Sequence, residues 1–242
     1  MSGTLYLIPS LLGEAAAVDD ALPPAVLARI HAIDDFVVEN AKSARRFLSA
    51  CGYPKPLQGV RMAVLDEHTA PEAVDALLAP LAAGRDIGLL SEAGAPAVAD
   101  PGARLVECAH RARHSVAPLV GPSSLLLALM ASGLEGQRFR FLGYLPASAL
   151  ERGEAIVKLE GESRTRDETQ LFIETPYRGD ALLQDLVRSC RPDTRLAVAV
   201  DLALPSQAIR SDTIAGWRAH AAPLGKRPAV FLLLAGKAKK RG

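Results

Sequence analysis

Five short apolar runs in the first half of the chain, each followed by a stretch of helical pattern, restrict the folds open to it more than any other feature. The runs lie at residues 4–9, 36–39, 62–65, 87–90 and 115–120, and helices are expected between them at 23–30, 41–50, 71–83 and 101–113. Strands alternating with helices of that length imply βαβ units and a mainly parallel sheet. A parallel sheet collects the carboxyl ends of its strands along one edge, and ligands of open α/β sheets bind in the crevice there.

After Gly121 and Pro122 the pattern changes. A strongly apolar helix is expected at 123–132, closed by Gly133, followed by strands at 139–144, 170–174, 196–200 and 228–234. The helical stretches here are fewer, at 178–189 and 215–220, which predicts a mixed or antiparallel sheet. A boundary near 119–123 therefore divides the chain into an α/β domain at 1–120 and a second at 121–242. Residues 151–168 are rich in charge without a sustained apolar period and read as partly mobile, and the basic tail 237–242 reads as a solvated end.

With 28 basic and 27 acidic residues the chain carries a net charge of +1, so no global field drives it onto nucleic acid. Any RNA contact has to come from a local patch. Cys51, Cys108 and Cys190 lie far apart and odd in number, which disfavours a disulfide framework and a thiolate metal site. His110 and His114 have helical spacing but lack the adjacent glutamate of a zinc protease, so no metal is expected. No basic, apolar leader opens the sequence and no run reaches ~18 apolar residues, so neither secretion nor membrane insertion is expected and the cytoplasm is the natural compartment. GxGxxG, GxxxxGK[ST] and GxSxG are all absent, which removes the dinucleotide, P-loop and nucleophile-elbow readings.

The segment most suggestive of a site is SEAGAPAVADPG at 91–102, directly after the apolar run 87–90. Its glycines permit close backbone approach, its prolines stiffen the turn, and Ser91, Glu92 and Asp100 supply polar groups. Asp100 is also placed to cap the helix that follows, with Pro101 as first helical residue.

Several segments in fixed order resemble the tetrapyrrole methylase superfamily of S-adenosylmethionine-dependent methyltransferases, and its ribosomal RNA branch in particular. GTLYLIPSLLG from Gly3 is similar to that branch's opening strand and proline turn, and SEAGAPAVADPGARLV to its SDAGTPxxSDPGxxLV loop. GPSSLLLALMASGL and FRFLGYLP resemble its GPSAxxxALxxSGL and FxFxGFLP segments, and ETPYRGDALLQDL its ESPHR helix start. The resemblance implies a two-domain tetrapyrrole methylase-like α/β fold, a cofactor bound between the domains and a homodimer. It implies backbone contacts to S-adenosylmethionine from Ala93, Gly94 and Ala95 with Val98 beside them, Pro9 at the pocket border and Ser123 at the amino-acid end. Ile173, Pro228 and Ala229 are implied to enclose the adenine, and a side chain at Gly94 to occupy ligand space.

Members of the ribosomal branch methylate a ribose 2′-oxygen of cytidine in small-subunit rRNA. The chain departs from them at Glu39-Asn40-Ala41-Lys42, where they carry an EDTR-like start, and at Glu92, Ala95 and Ala99. Their RE-LTK-hE pattern is replaced by VDLALPSQ at 200–207, as in a shorter paralogous branch. A ribose hydroxyl needs help in losing its proton, and Glu39, Glu67, Glu92 and Asp100 are the candidates at strand ends. Lys42, Arg45 and Arg46 share one helix face as a phosphate patch, His68 lies beside Glu67, and Tyr177 with Arg178 could stack on a base. These features point to methyl transfer to rRNA in the 30S subunit. Transfer to a tetrapyrrole or another small molecule, and binding of the cofactor without catalysis, stay open beside it.

Overall fold

The structure is a computed structural model and describes residues 2–220 and 222–236, so the basic tail lies outside the described residues. The chain forms two compact units, Met1–Ser123 and Ser124–Gly242.

In the first unit the strands are β1 (Thr4–Ile8), β2 (Asp35–Val38), β3 (Arg61–Val64), β4 (Ile87–Leu90) and β5 (Ser115–Pro118). They form one sheet in the order β3-β2-β4-β1-β5, parallel throughout. The helices are α1 (Val18–Ala21), α2 (Pro24–His31), α3 (Ala41–Ala50), α4 (Pro71–Val74), α5 (Ala79–Ala82) and α6 (Gly102–Arg111). The alternation of side chains along each strand divides the core in two. Ile8, Phe36, Val38 and Leu90 pack with α2 and α3, whereas Leu5, Val37, Ile87 and Leu89 pack with the helices between β3 and β4 and with α6. Crossovers toward β3 therefore use one face of the sheet and crossovers toward β5 the other, the arrangement that right-handed βαβ connections impose.

Gly88 in β4 faces the first of these cores, where an added Cβ would lie 2.7 Å from Ile8 Cδ1 and 2.8 Å from the Phe36 ring. At the amino end of the sheet, Asp35 is gripped by Arg61 at 2.6 and 2.7 Å and by Arg85 at 3.0 Å. These partners, the Arg61 hydrogen bonds foremost, hold its carboxyl below the ordinary aspartate value despite burial.

The second unit contains α7 (Ser124–Ser132), β6 (Phe139–Tyr144), α8 (Ala149–Arg166), β7 (Thr169–Glu174), α9 (Gly179–Ser189), β8 (Arg195–Val200), β9 (Ala208–Thr213), α10 (Ile214–Ala219) and β10 (Ala229–Leu234). Its sheet runs β6-β7-β10-β8-β9, with only β6 and β7 parallel. The mixed sheet predicted from the sparse helices is present. Phe172 and Phe231 stack at 5.7 Å in its core beneath α8, α9 and α10, and α7 packs on β10, β8 and β9.

Three local expectations are corrected. The helix expected at 71–83 is broken into α4, a 3-10 turn at Asp75–Leu78 and α5, because Pro80 has no N–H to continue the ladder. Residues 151–168 are not mobile coil but most of α8, the longest helix among the described residues. Three of its five buried residues, Arg152, Glu160 and Ser163, are polar: Arg152 pairs with Asp185 at 2.6 Å, and Glu160 accepts from Arg191 N at 2.8 Å and from Thr194 Oγ1. Finally, α6 starts at Gly102 rather than at Pro101, although Asp100 Oδ1 still accepts from Gly102 N at 2.7 Å. β9 was not anticipated, since its sequence AIRSDT is polar and mostly exposed at a sheet edge.

Gly88→Val is expected to destabilise the protein by about 1–3 kcal/mol through overpacking against Ile8 and Phe36. Gly161→Ala in α8, where an added Cβ meets nothing within 4 Å, is expected to stabilise it by about 0.4–1 kcal/mol. Thermal unfolding of the two variants checks both signs, and a stabilised Gly88→Val would refute this packing.

Candidate functional site

The parallel sheet of the first unit brings five loops to one edge: Pro9 and Ser10 after β1, Glu39 after β2, Asp66 to His68 after β3, Ser91 to Pro101 after β4, and Gly121 to Ser123 after β5. The connections after β2 and β4 leave in opposite directions across the sheet, which opens a crevice between those strand ends.

The loop after β4 is fastened to the end of β1. Ser10 N donates to Gly94 O at 2.8 Å and Gly94 N to Ser10 O at 3.1 Å, an isolated antiparallel bridge. The buried Ser10 hydroxyl adds a third bond, to Ser91 O at 2.8 Å. Gly94 sits at φ +74°, in the left-handed region that favours glycine. Its added Cβ would approach Leu12 Cδ2 at 3.3 Å and Pro122 O at 3.8 Å. A valine there would strain the backbone whatever space surrounds it. Gly94 also spends its N–H on Ser10, whereas the N–H groups of Ala93 and Ala95 have no protein acceptor among the described residues. Those two donors, on a backbone held open by the bridge, are suited to a hydroxyl- and carboxylate-bearing ligand.

Asp100 closes the far end of this loop. Its Oδ1 accepts from Ala97 N at 3.0 Å and Gly102 N at 2.7 Å, and Ala97 and Ala99 are both held at positive φ, 65° and 63°. Left-handed backbone costs a non-glycine residue about 1–2 kcal/mol, so these bonds hold a shape the loop would not otherwise keep. Pro9 packs where a Cβ on Gly121 would fall, 2.5 Å from Pro9 Cβ, which ties the β1 and β5 loops together and leads directly to Ser123.

Glu39 occupies the crevice between β2 and β4. Its backbone N–H donates to Leu90 O at 3.2 Å, and its Oε2 accepts from Glu92 N at 3.1 Å. Burial raises the Glu39 carboxyl above the ordinary glutamate value, the charges of Glu92, Asp100 and Glu67 push it further the same way, and the Glu92 N–H opposes them. Burial likewise raises Asp100, against its backbone donors. Glu92, Asp100 and Glu67, the other carboxylates singled out from the sequence, thus each lie within electrostatic reach of Glu39. Glu67 and Glu92 are exposed, and His68 Nε2 lies 3.5 Å from Glu67 Oε1 in open solvent.

α3 begins immediately beyond Glu39, its first turn capped by Asn40 Oδ1 accepting from Lys42 N at 2.9 Å. Lys42, Arg45 and Arg46 are exposed along it. Arg46 is ion-paired with Glu14, a partner not anticipated from the sequence, and both line a cavity of about 260 Å³ with Ser43, Phe47, Glu92 and Ala93. Val98 is exposed within the β4 loop.

The remaining residues belong to the second unit. Ile173 pairs with Val230 and Ala229 with Glu174, and Pro228 O accepts from Asp201 N at 3.2 Å, so Ile173, Pro228 and Ala229 share one end of that sheet. Tyr177 and Arg178 follow β7 at the same end. Arg178 is bound to Glu174 at 2.7 Å.

Residues 16–216 match the family model of the Tetrapyrrole (Corrin/Porphyrin) Methylases. The chain belongs to this family. It is an S-adenosylmethionine-dependent methyltransferase. The chain is 30% identical over 224 residues to ribosomal RNA small subunit methyltransferase I of Escherichia coli O157:H7, covering 93% of this chain and 70% of that protein. The protein of the same name from Neisseria meningitidis serogroup B is 31% identical over 214 residues, covering 88% and 69%. Among solved structures, the methyltransferase CobJ superposes with a TM-score of 0.62 at 21% identity, covering 100% of this chain and 98% of that one. Uroporphyrin-III-C-methyltransferase from Thermus thermophilus gives 0.55 at 18% identity, covering 97% and 93%. These two establish the shared fold. Among the described residues no helix is long and apolar enough to cross a membrane.

Because the folded state holds the Glu39 proton more tightly than an ordinary glutamate does, Glu39 costs stability as pH rises from the ordinary carboxylate value through its raised one. Glu39→Gln is therefore expected to unfold at a higher temperature than the parent at neutral pH. The difference should shrink as pH falls through the ordinary glutamate value and vanish near about pH 3, where the carboxyl is protonated folded and unfolded alike. Melting curves between about pH 3 and pH 8 check this, and parallel curves across that range would contradict the placement of Glu39.

Proposed function

We propose that this methyltransferase modifies a ribose 2′-hydroxyl of small-subunit rRNA, working in the cytoplasm as a homodimer on the 30S subunit. The observation that carries the reading is Glu39, a half-buried carboxylate of raised pKa at the sheet crevice, oriented by the Glu92 N–H beside the cofactor loop. The naming of relatives that match most of the chain supports an rRNA acceptor.

Bound S-adenosylmethionine supplies a methyl group activated by its sulfonium sulfur. The chain's own residues then have two tasks. The first is positioning, which in well-oriented reactions is worth about 7–11 kcal/mol. Ser10, Gly94 and Asp100 perform it by fixing the loop that presents the Ala93 and Ala95 donors. The second is proton removal. Glu39 Oε2 is committed to Glu92 N–H, and in this reading Oε1 takes the hydroxyl proton as the new carbon–oxygen bond forms and the methyl–sulfur bond breaks, its electron pair staying on sulfur. A raised pKa makes Glu39 a stronger base than a free glutamate, which suits a weakly acidic hydroxyl. Asp100, Glu67 and Glu92 act on Glu39 through their charge. Lys42, Arg45 and Arg46 on α3, with His68, contact the phosphates.

The reading is tested by incubating the protein with methyl-labelled S-adenosylmethionine and either 30S subunits or a small-molecule extract containing tetrapyrroles. Label is expected in 16S rRNA and, after digestion, in the ribose of one nucleotide. Label confined to the extract would establish a small-molecule acceptor instead, and cofactor binding with no transfer to either would establish a non-catalytic protein. Glu39→Gln is expected to lower kcat by about 10²-fold or more while leaving cofactor affinity unchanged by calorimetry.

A further inference from the structure

The end of the second unit's sheet carries an aromatic ring that no part of the core or of the proposed chemistry uses. Tyr177 is 81% exposed. It stands at the third position of the turn Thr175-Pro176-Tyr177-Arg178, closed by Arg178 N donating to Thr175 O at 3.1 Å, with Pro176 at the second position. Proline there presets the turn dihedral. The turn is anchored from below by Glu174, whose side chain is completely enclosed. Its Oε1 accepts from Thr175 N at 2.6 Å, Arg178 Nε at 2.9 Å and Arg178 Nη2 at 2.7 Å. Burying a carboxylate is costly unless it is paired, so this arrangement fixes Arg178 and the turn together.

A second loop supplies a cation to the same ring. Lys226 Nζ lies 5.5 Å from the Tyr177 centroid, within the range of a cation–π contact. Its loop is fastened to the start of α9 by Leu224 N donating to Asp180 Oδ1 at 2.6 Å. Arg227 is occupied inside that loop, with Nε on Leu224 O at 2.6 Å and Nη1 on Ser206 O at 3.4 Å. Lys226 is thus the exposed charge beside the ring, while Arg178 is largely neutralised by Glu174.

A rigidly presented exposed ring with one ammonium beside it has the chemistry that recognises an unstacked base and its phosphate in single-stranded nucleic acid. A net charge of +1 gives no general attraction to RNA, so contact depends on such local groups. We propose that Tyr177 and Lys226 form a stacking platform for one nucleotide of single-stranded RNA, with Glu174 and Arg178 as positioning residues. The proposal rests on the rRNA reading for its biological substrate.

The test uses the full chain, a fluorescein-labelled single-stranded RNA of mixed sequence and about 12 nucleotides, and the variants Tyr177→Ala, Tyr177→Phe and Lys226→Ala. Tyr177→Ala is expected to weaken RNA binding roughly fivefold or more and Tyr177→Phe to retain it, with cofactor affinity unchanged in both. Lys226→Ala is expected to reduce the slope of log affinity against log salt by about 0.7. Equal RNA affinity for the parent and Tyr177→Ala, no binding by the parent, or a loss of cofactor affinity in Tyr177→Ala overturns the platform. Methylation separates this from the rRNA reading. If Tyr177→Ala methylates 30S subunits at the parental KM, the platform fails and the rRNA reading stands. If the parent binds RNA through Tyr177 but transfers no methyl to rRNA, the reading fails and the platform stands.

Discussion

Two backbone hydrogen bonds between Ser10 and Gly94 hold the candidate site in shape. They join the loop after β1 to the loop after β4, and although those strands pair in parallel the bridge is antiparallel, so the loop after β4 has already reversed direction where it meets Ser10. Beyond the bridge the chain cannot keep a regular strand, because the loop must turn away into α6 with Ala97 and Ala99 in left-handed conformations. Asp100 compensates by accepting from Ala97 N and Gly102 N. A segment pinned at both ends and strained between them resists collapse when no ligand is present, and that rigidity is what a positioning catalyst requires.

The two ends of β2 show how one strand serves stability and chemistry at once. Asp35 and Glu39 are four residues apart, both carboxylates and both partly withdrawn from water. Asp35 meets two arginines and its pKa falls despite burial, whereas burial raises the pKa of Glu39, three acidic neighbours add to the rise and one N–H opposes it. Charge at the amino end of the sheet is neutralised and tightens the fold. At the carboxyl end no cation among the described residues answers the Glu39 charge, and the single Glu92 N–H opposes the effect of its burial.

The alternation of apolar runs and helices made the parallel sheet legible, because strands buried on both faces have to be apolar throughout, as Ile87 to Leu90 and Phe36 to Val38 are. The same rule explains what hydropathy hid. α8 buries Arg152, Glu160 and Ser163 beside Ile156 and Leu159, and its inner face becomes acceptable through Asp185, Arg191 N, Thr194 and Ala235 N, all contributed by later parts of the chain. β9 is an edge strand whose exposed face needs no apolar residue. Within the site, the loop at 91–102 and the acids at strand ends could be read from residue type and position. Ser10 as the bridge partner, Glu14 against Arg46 and Lys226 over Tyr177 could not, since each depends on a contact between segments distant in sequence.

The departures from the ribosomal pattern gain physical meaning from this geometry. Where that pattern has a second acid after the glutamate, Asn40 stands, and it still caps α3 by accepting from Lys42 N and Ser43 N. The capping function survives while one negative charge is removed from the vicinity of Glu39, which limits how far that carboxyl is pushed up. Glu92 engages Glu39 through its backbone N–H, so exchanging its side chain for aspartate would leave the contact in place. Ala95 is different. It forgoes a hydroxyl at a half-buried point of the loop and leaves only its backbone N–H to meet a ligand. The substitutions therefore preserve what backbone atoms do and alter what side chains offer.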